Sequence, residues 1–353
     1  MKLYKHDGFV VLEDEEKKVL RSPKANYAFD KKEGTMITWG KTLKEEAEDF
    51  PSPIVAEIEL TNICSGNCKF CCNSNTTEGT YMSFEKYKEL FHKLPNSLTQ
   101  IAFSVDYDCS SNPDLFKIIE YTKDHGIVPN INVGSSIDDS VAKKLSSLCG
   151  AIAVSCGDLQ EVCYNSVERL IKNGAKKVNI NYMISSETFT SSGELLHSIL
   201  YDERIKDINA VIFLSLKRKG RGKNYEQLEN SSFEKLIGAG IRNNISIGFD
   251  SCSSLKLLYS FNKKNYEKYK LAVKSCESAI ESMYIDVNGN FYPCSFCQGV
   301  KGWTTVGETN VFDCEDFIKD IWNHPKTENF RRKLHLSAEN NRYNCRECPM
   351  YSI

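Results

Sequence analysis

The stretch IVAEIELTNICSGNCKFCC, residues 54–72, is an apolar, β-prone run that passes directly into a polar loop bearing Cys64, Cys68 and Cys71 in the spacing C-x3-C-x2-C. Downstream, five more such runs appear at QIAFSV (100–105), VPNINV (128–133), AIAVSC (151–156), KVNINYM (177–183) and AVIFLSL (210–216), each separated from the next by a helical pattern. Ser83 caps a helix whose Phe84, Tyr87, Phe91 and Leu94 share one face, and Asn112-Pro113 opens another that closes at Gly126. Strands alternating with helices imply a parallel sheet with right-handed crossovers, and strands this apolar imply burial on both faces. The expectation is an α/β fold, a partial (β/α)6 TIM-like barrel over residues 51–250, with the cysteine loop at the carboxyl end of its first strand.

Flanking the barrel, residues 1–50 read as a β-rich extension with apolar pieces at Val10 to Leu12 and Met36 to Trp39. Residues 251–353 read as a small cysteine-rich α+β domain, with a β-hairpin formed by MYIDV and NFYPC around Asn288-Gly289. The 353 residues are 41% hydrophobic and 26% charged with a net charge of -2, a soluble globular composition without the broad positive surface of sequence-independent nucleic-acid binding. No run reaches signal-peptide length or the roughly 20 apolar residues of a membrane span, so the expected location is cytoplasmic. In that reducing compartment the 15 Cys are expected to ligate or react rather than form disulfides.

Three thiolates on one short loop can hold three irons of a 4Fe-4S cluster and leave the fourth open to a cosubstrate. A zinc site suits this loop poorly, because structural zinc takes four closed ligands in C-x2-C pairs. With aromatic Phe70 just before Cys71, the loop resembles the signature of the radical S-adenosylmethionine (SAM) enzymes. The resemblance implies that SAM chelates the open iron, that reductive cleavage gives a 5′-deoxyadenosyl radical, and that this radical takes a hydrogen from substrate. It places Phe70 near the adenine. Cys72 stands where the family more often has an aromatic, and C-x3-C-x3-C would be off pattern, so Cys71 is the third ligand.

Cys276 is followed by Gly289 and Cys294 as C-x12-G-x4-C, and Cys345 and Cys348 form a C-x2-C pair. This arrangement resembles the auxiliary-cluster domain of the SPASM/twitch subgroup, in its shorter twitch form, and implies a second 4Fe-4S cluster on Cys276, Cys294, Cys345 and Cys348. Cys297 keeps an alternative open, a tetrathiolate zinc site from 294, 297, 345 and 348. His324, in the segment between the pairs, is read as a surface or capping residue.

The resemblance also supplies SAM-contact candidates. FSVDY (103–107) lies where the family has a Gly-Gly-Glu-Pro run, offering Ser104 and backbone, with Asp106 in the acidic place. The third strand end offers Asn132 and Ser135, and the fourth offers Ser155. Arg221, in KRKGRGKN, is a candidate for a substrate carboxylate, with a solvated basic loop as the alternative. Cys252 is a candidate hydrogen-atom donor to a substrate radical, against a plain packing role.

Together these imply a radical SAM enzyme that modifies a ribosomally made peptide by oxidation or bond formation, fed by a flavodoxin or ferredoxin. The alternatives are a small-molecule dehydrogenase or epimerase, a nucleotide modification, and a non-catalytic iron-sulfur or zinc protein. The roughly 50 residues before the barrel are too few for a leader-binding winged-helix domain.

Overall fold

The computed structural model describes residues 1–158, 160–300, 303 and 309–351. Five short strands, β1 (Lys2–His6), β2 (Phe9–Glu13), β3 (Lys17–Arg21), β4 (Asn26–Asp30) and β5 (Thr35–Trp39), pair antiparallel in sequence order. Alternation along them turns Phe9, Val11, Leu20, Tyr27 and Phe29 to one side, where they pack with Phe50 and Ile54. Two polar side chains tie this meander to the barrel: the Tyr27 hydroxyl donates to the Ser97 carbonyl at 2.7 Å, and the buried Lys18 ammonium donates to that of Leu98 at 2.8 Å.

The barrel follows as β6 (Val55–Glu59), α1 (Phe84–Lys93), β7 (Gln100–Ser104), α2 (Leu115–Asp124), β8 (Val128–Val133), α3 (Asp139–Leu148), β9 (Ile152–Cys156), α4 (Gln160–Lys172), β10 (Val178–Ile184), α5 (Phe189–Tyr201), β11 (Ala210–Ser215), α6 (Asn230–Arg242) and β12 (Ile247–Phe249). All seven strands run parallel in sequence order, so the structure adds a short seventh strand to the six expected. Ser83 caps α1, its hydroxyl accepting from the Lys86 N–H, as the sequence indicated.

Burial corrects the expectation of strands enclosed on both faces. Ile101 and Phe103, Ile131 and Val133, Ile152 and Val154, and Ile180 and Tyr182 are buried on the outer, helix-covered face. The inner face carries Ser104, Asn130, Asn132, Ser155, Asn179 and Asn181, none of them fully buried. Ala102, Ala153, Met183, Ile212 and Leu214 share that face and are likewise only half-buried, so the interior is mixed and accessible, unlike a barrel filled by Val, Ile and Leu.

After β12 come α7 (Ser254–Ser260) and α8 (Lys263–Tyr269), then the hairpin strands β13 (Ser282–Ile285) and β14 (Phe291–Tyr292), and finally α9 (Pro325–Glu339). The hairpin is part of the barrel sheet. β13 pairs parallel with β6, Met283 opposite Ala56 and Ile285 opposite Ile58, giving the order β12-β11-β10-β9-β8-β7-β6-β13-β14. At its turn only Gly289 takes a positive φ (+84°), and the Asp286 carboxylate holds the loop by accepting from the N–H groups of Asn288 and Asn290. His324 caps α9, Nδ1 accepting from the Lys326 N–H at 3.3 Å. No helix is long and apolar enough to cross a membrane among the described residues.

Candidate active site

The cysteine loop leaves β6 at the carboxyl end of the sheet. Bridges from Thr61 to Tyr81 and from Ile63 to Thr76 anchor its base, and the Cys64 N–H donates to the Thr76 carbonyl at 2.6 Å. Beyond that the loop has little regular structure of its own, the Cys71 N–H donating to the Cys68 carbonyl at 3.3 Å. Cys68 is exposed, while Cys64 and Cys71 are half-buried. Partial burial, and then the neighbouring Cys64 and Cys71 thiols, raise the Cys68 pKa, so the three sulfurs share one electrostatic neighbourhood. Cys72 sits deeper, where burial pushes its thiol up to about 11, with Lys219, Glu57 and Lys217 around it.

Three clustered soft donors on a half-exposed loop suit a four-iron cluster with one iron left open. Among the described residues no three His, Cys, Asp or Glu side chains converge on one ion-sized point. Thiolates around a four-iron cube need not converge, since each binds its own iron.

The loop is braced from across the barrel mouth by the segment after β11. Lys219 Nζ donates to Asn73 Oδ1 at 2.9 Å, and the Arg221 N–H donates to the Cys71 carbonyl at 2.9 Å. The Arg221 guanidinium donates to the carbonyls of Cys68 at 2.8 Å, Asn75 at 3.2 Å and Gly66 at 3.5 Å. Gly220, at φ +56°, lies so close that a Cβ would collide with the carbonyl oxygens of Cys71 and Cys72. Tyr225 packs on Phe70 with ring centroids 4.4 Å apart. The structure corrects the reading of Arg221 as a merely solvated basic residue, since three of its guanidinium N–H groups are directed at loop backbone. The sequence signal was the Gly-Arg pair, but a carbonyl acceptor about 150 residues away leaves no residue-type trace.

The SAM-contact candidates divide. Ser104, Asn132 and Ser155 stand on the inner face, Ser104 donating to the Glu57 carboxylate at 2.6 Å and Asn132 accepting weakly from Asn181 at 3.4 Å. Ser135 is turned elsewhere: it is buried, and its hydroxyl donates to the Ser155 carbonyl at 2.7 Å. Asp106 is buried too, one carboxylate oxygen accepting from the Ser110 and Ser111 N–H groups at 3.2 Å. Its other oxygen is buried without a hydrogen-bond donor among the described residues, and burial followed by Asp108 raises its pKa. An ammonium brought to that oxygen would satisfy it. Gly134 packs against this loop so closely that a Cβ there would collide with the Tyr107 backbone.

The second cysteine group gathers at the hairpin and the last loop. Cys294 and Cys297 lie with sulfurs 3.6 Å apart, the Cys297 S–H holding the Cys294 thiol pKa down. Cys276 is buried, which pushes its thiol up to about 12, with Cys294 and Cys348 also acting on it. Arg346 Nε donates to the Cys276 carbonyl at 2.7 Å and the Tyr351 hydroxyl to that of Phe296 at 2.8 Å, stitching the last loop to the hairpin. Cys345 accepts from the Ser275 hydroxyl at 3.4 Å. Cys276, Cys294, Cys297 and Cys348 thus act on one another's thiols, while the Cys345 thiol is acted on by Ser275 and its chain neighbours.

Cys252 stands beside the second group. It lines a cavity of about 740 Å³ with Glu57, Asn132 and Cys294, and another of about 350 Å³ with Cys276 and Cys348. Beside it, Lys217 is buried in an ion pair with Asp250 and lies 4.5 Å from the Phe296 ring centroid. Burial alone would lower the Lys217 pKa, but Asp250 and Cys252 outweigh it and keep the ammonium charged. Cys109, Cys149, Cys156, Cys163 and Cys314 are buried, as packing residues are.

Residues 276–349 match the SPASM family model, an iron-sulfur cluster-binding domain. No curated protein matches the sequence. Among solved structures the chain is similar to Streptococcus suis SuiB bound to S-adenosylmethionine, at 13% identity and TM-score 0.63 over 86% of this chain and 78% of that one. SuiB bound to its precursor peptide SuiA gives 14% identity and TM-score 0.63 over 86% and 77%. The structure of anSMEcpe with bound AdoMet and Cp18Cys peptide gives 15% identity and TM-score 0.58 over 83% and 88%. At these identities the likeness is one of fold. The chain thus carries a SPASM iron-sulfur cluster-binding domain at its carboxyl end and shares the fold of these structures, with the C-x3-C-x2-C loop at the mouth of the barrel.

Proposed function

We propose that the chain is a radical SAM enzyme that oxidises or cross-links a peptide, with Cys64, Cys68 and Cys71 holding the SAM-binding cluster and Cys276, Cys294, Cys345 and Cys348 the auxiliary one. The observation that carries this reading is the cavity of about 740 Å³, which runs from the polar inner wall at Glu57 and Asn132 to Cys294. A substrate seated there would lie beside Cys294 of the second thiol group and along β6, the strand that leads into the first cysteine loop. Peptide is favoured because the two similar proteins are solved with peptides bound.

When bound, SAM on its cluster supplies a radical able to take hydrogen from an unactivated C–H bond, and the auxiliary cluster supplies an electron acceptor. The chain's own part is positioning. Ser104, Asn132 and Ser155 present hydrogen-bonding groups on the inner wall, where SAM would be oriented. Ile237, Ile247, Phe249 and Leu257 give the cavity an apolar side that excludes water from a reactive intermediate. The Lys217–Asp250 pair holds the wall beside Cys252.

The test is anaerobic incubation of the reconstituted, reduced protein with SAM and a library of short peptides, followed by mass spectrometry. A mass change in a peptide, dependent on SAM and abolished in the Cys64/Cys68/Cys71→Ala protein, supports the reading. SAM cleavage without any peptide change across the library, but with oxidation of small alcohols, would replace peptide by the small-molecule alternative.

A further inference from the structure

The loop that bears Cys64, Cys68 and Cys71 is fastened by a residue outside it. Between its anchored base and Cys71 the loop has few backbone hydrogen bonds of its own, and three of its carbonyls, at Gly66, Cys68 and Asn75, accept from the Arg221 guanidinium. Each of these lies within or beside the ligand spacing. Arg is suited to this task because its planar fork offers several donors in fixed directions, whereas an ammonium is a point charge on a flexible stem.

Arg221 also brings charge. No carboxylate pairs with it among the described residues, and its guanidinium donates to the Cys68 carbonyl at 2.8 Å, so its positive charge is directed at the loop. A cluster bound by three thiolates is anionic, and adding an electron makes it more so. A fixed cation next to it stabilises the reduced form more than the oxidised one, which raises the reduction potential.

We propose that Arg221 is a positioning residue of the SAM-binding cluster, holding its loop in ligating form and raising its reduction potential. The inference rests on the assignment of the cluster to Cys64, Cys68 and Cys71 under the proposed function. It concerns electron uptake from an external reductant, which is dithionite in the test. The backbone contacts and the charge are separable, since Lys keeps the charge without the fork and Gln removes the charge and shortens the reach.

The experiment uses the full chain as wild type, Arg221→Lys, Arg221→Gln and, as a control in the same segment, the exposed Lys223→Gln. Each is reconstituted anaerobically and followed by thermal melting, by iron retention against a chelator, and by EPR-monitored redox titration. The signal tracked is the one that changes on adding SAM, because only a cluster with an open iron takes a new ligand. The expected result is about 10-fold weaker iron retention in both Arg221 variants, the usual scale for loss of an outer-shell partner. The midpoint potential is expected to fall in Arg221→Gln and to stay near wild type in Arg221→Lys, with Lys223→Gln unchanged throughout.

Wild-type retention and potential in Arg221→Gln would overturn the proposal. So would an equal fall in potential in Arg221→Lys and Lys223→Gln, which would mean a general effect of surface charge. If Arg221→Gln does not fold, Arg221→Lys decides alone: lost retention at unchanged potential and melting temperature supports the clamp, and unchanged retention overturns it. A wild type that loads iron but shows no SAM-sensitive signal would overturn the cluster assignment itself, and the proposal with it.

Discussion

Glu59, the last residue of β6, is 3% exposed and accepts from the Val287 N–H at 3.2 Å. Burial, with smaller contributions from Asp286 and Glu57, pushes its carboxyl up to about 7. A carboxyl with a raised folded pKa binds its proton more tightly in the native state, so its stabilisation is complete below the unfolded value near 4.5 and is lost as pH rises through 7. The expected outcome is a fall in stability on the order of 3 kcal/mol between pH 4.5 and 7.5 from this group, absent in Glu59→Gln. Denaturant melts of both proteins across that range check it, and parallel pH profiles would refute it. Gly220→Ala would push a methyl into the Cys71 and Cys72 carbonyls at φ +56°, and should lower iron retention at the first cluster at least as much as losing Arg221. At this scale the two cysteine groups were legible as groups, because spacing along one loop is written in the chain. The placement of Ser135 and Asp106 was not, because whether a short polar side chain faces a cavity or caps backbone depends on the loop's path.

The strands were legible almost to the residue, because apolar β-prone runs bounded by turn residues mark them directly. Their inner face was misread, although the alternation Asn130, Asn132 and Asn179, Asn181 carries it: polar residues every second position cannot belong to a face packed with apolar side chains. The hairpin around Gly289 was foreseen, but its pairing with β6 was not, since β13 lies more than 200 residues from its partner and a parallel register has no local signature. Trp322 shows what fixes the carboxyl-terminal elements to the barrel. It is fully buried in a π-helical turn, its indole N–H donates to the Phe50 carbonyl at 3.0 Å, and Arg331 of α9 lies over its ring and donates to its carbonyl at 2.7 Å. Trp322→Ala should cost about 3–5 kcal/mol, the range for a fully buried aromatic, and should loosen α9 and the last cysteine loop together. Hydrogen exchange along α9 would check this; protection unchanged from wild type would refute it.

Across the whole molecule, the sheet order brings together what the chain separates. With β13 and β14 continuing the sheet past β6, the strand that leads into the first cysteine loop lies next to the hairpin that leads into Cys294, and one cavity is lined by both. Two four-iron clusters predict about eight iron and eight sulfide per chain after reconstitution, falling to about four when Cys64, Cys68 and Cys71 are replaced by Ala. The fourth auxiliary ligand is decided the same way: with the first-choice set, Cys345→Ala loses the second cluster and Cys297→Ala keeps it, while the reverse moves the ligand to Cys297. The most direct test of the central claim is formation of 5′-deoxyadenosine from SAM by the anaerobically reconstituted, dithionite-reduced protein, beside the Cys64/Cys68/Cys71→Ala protein. The account predicts product from the first and none from the second; product formed equally by both, or by neither despite full iron and sulfide and a supplied peptide library, would contradict it.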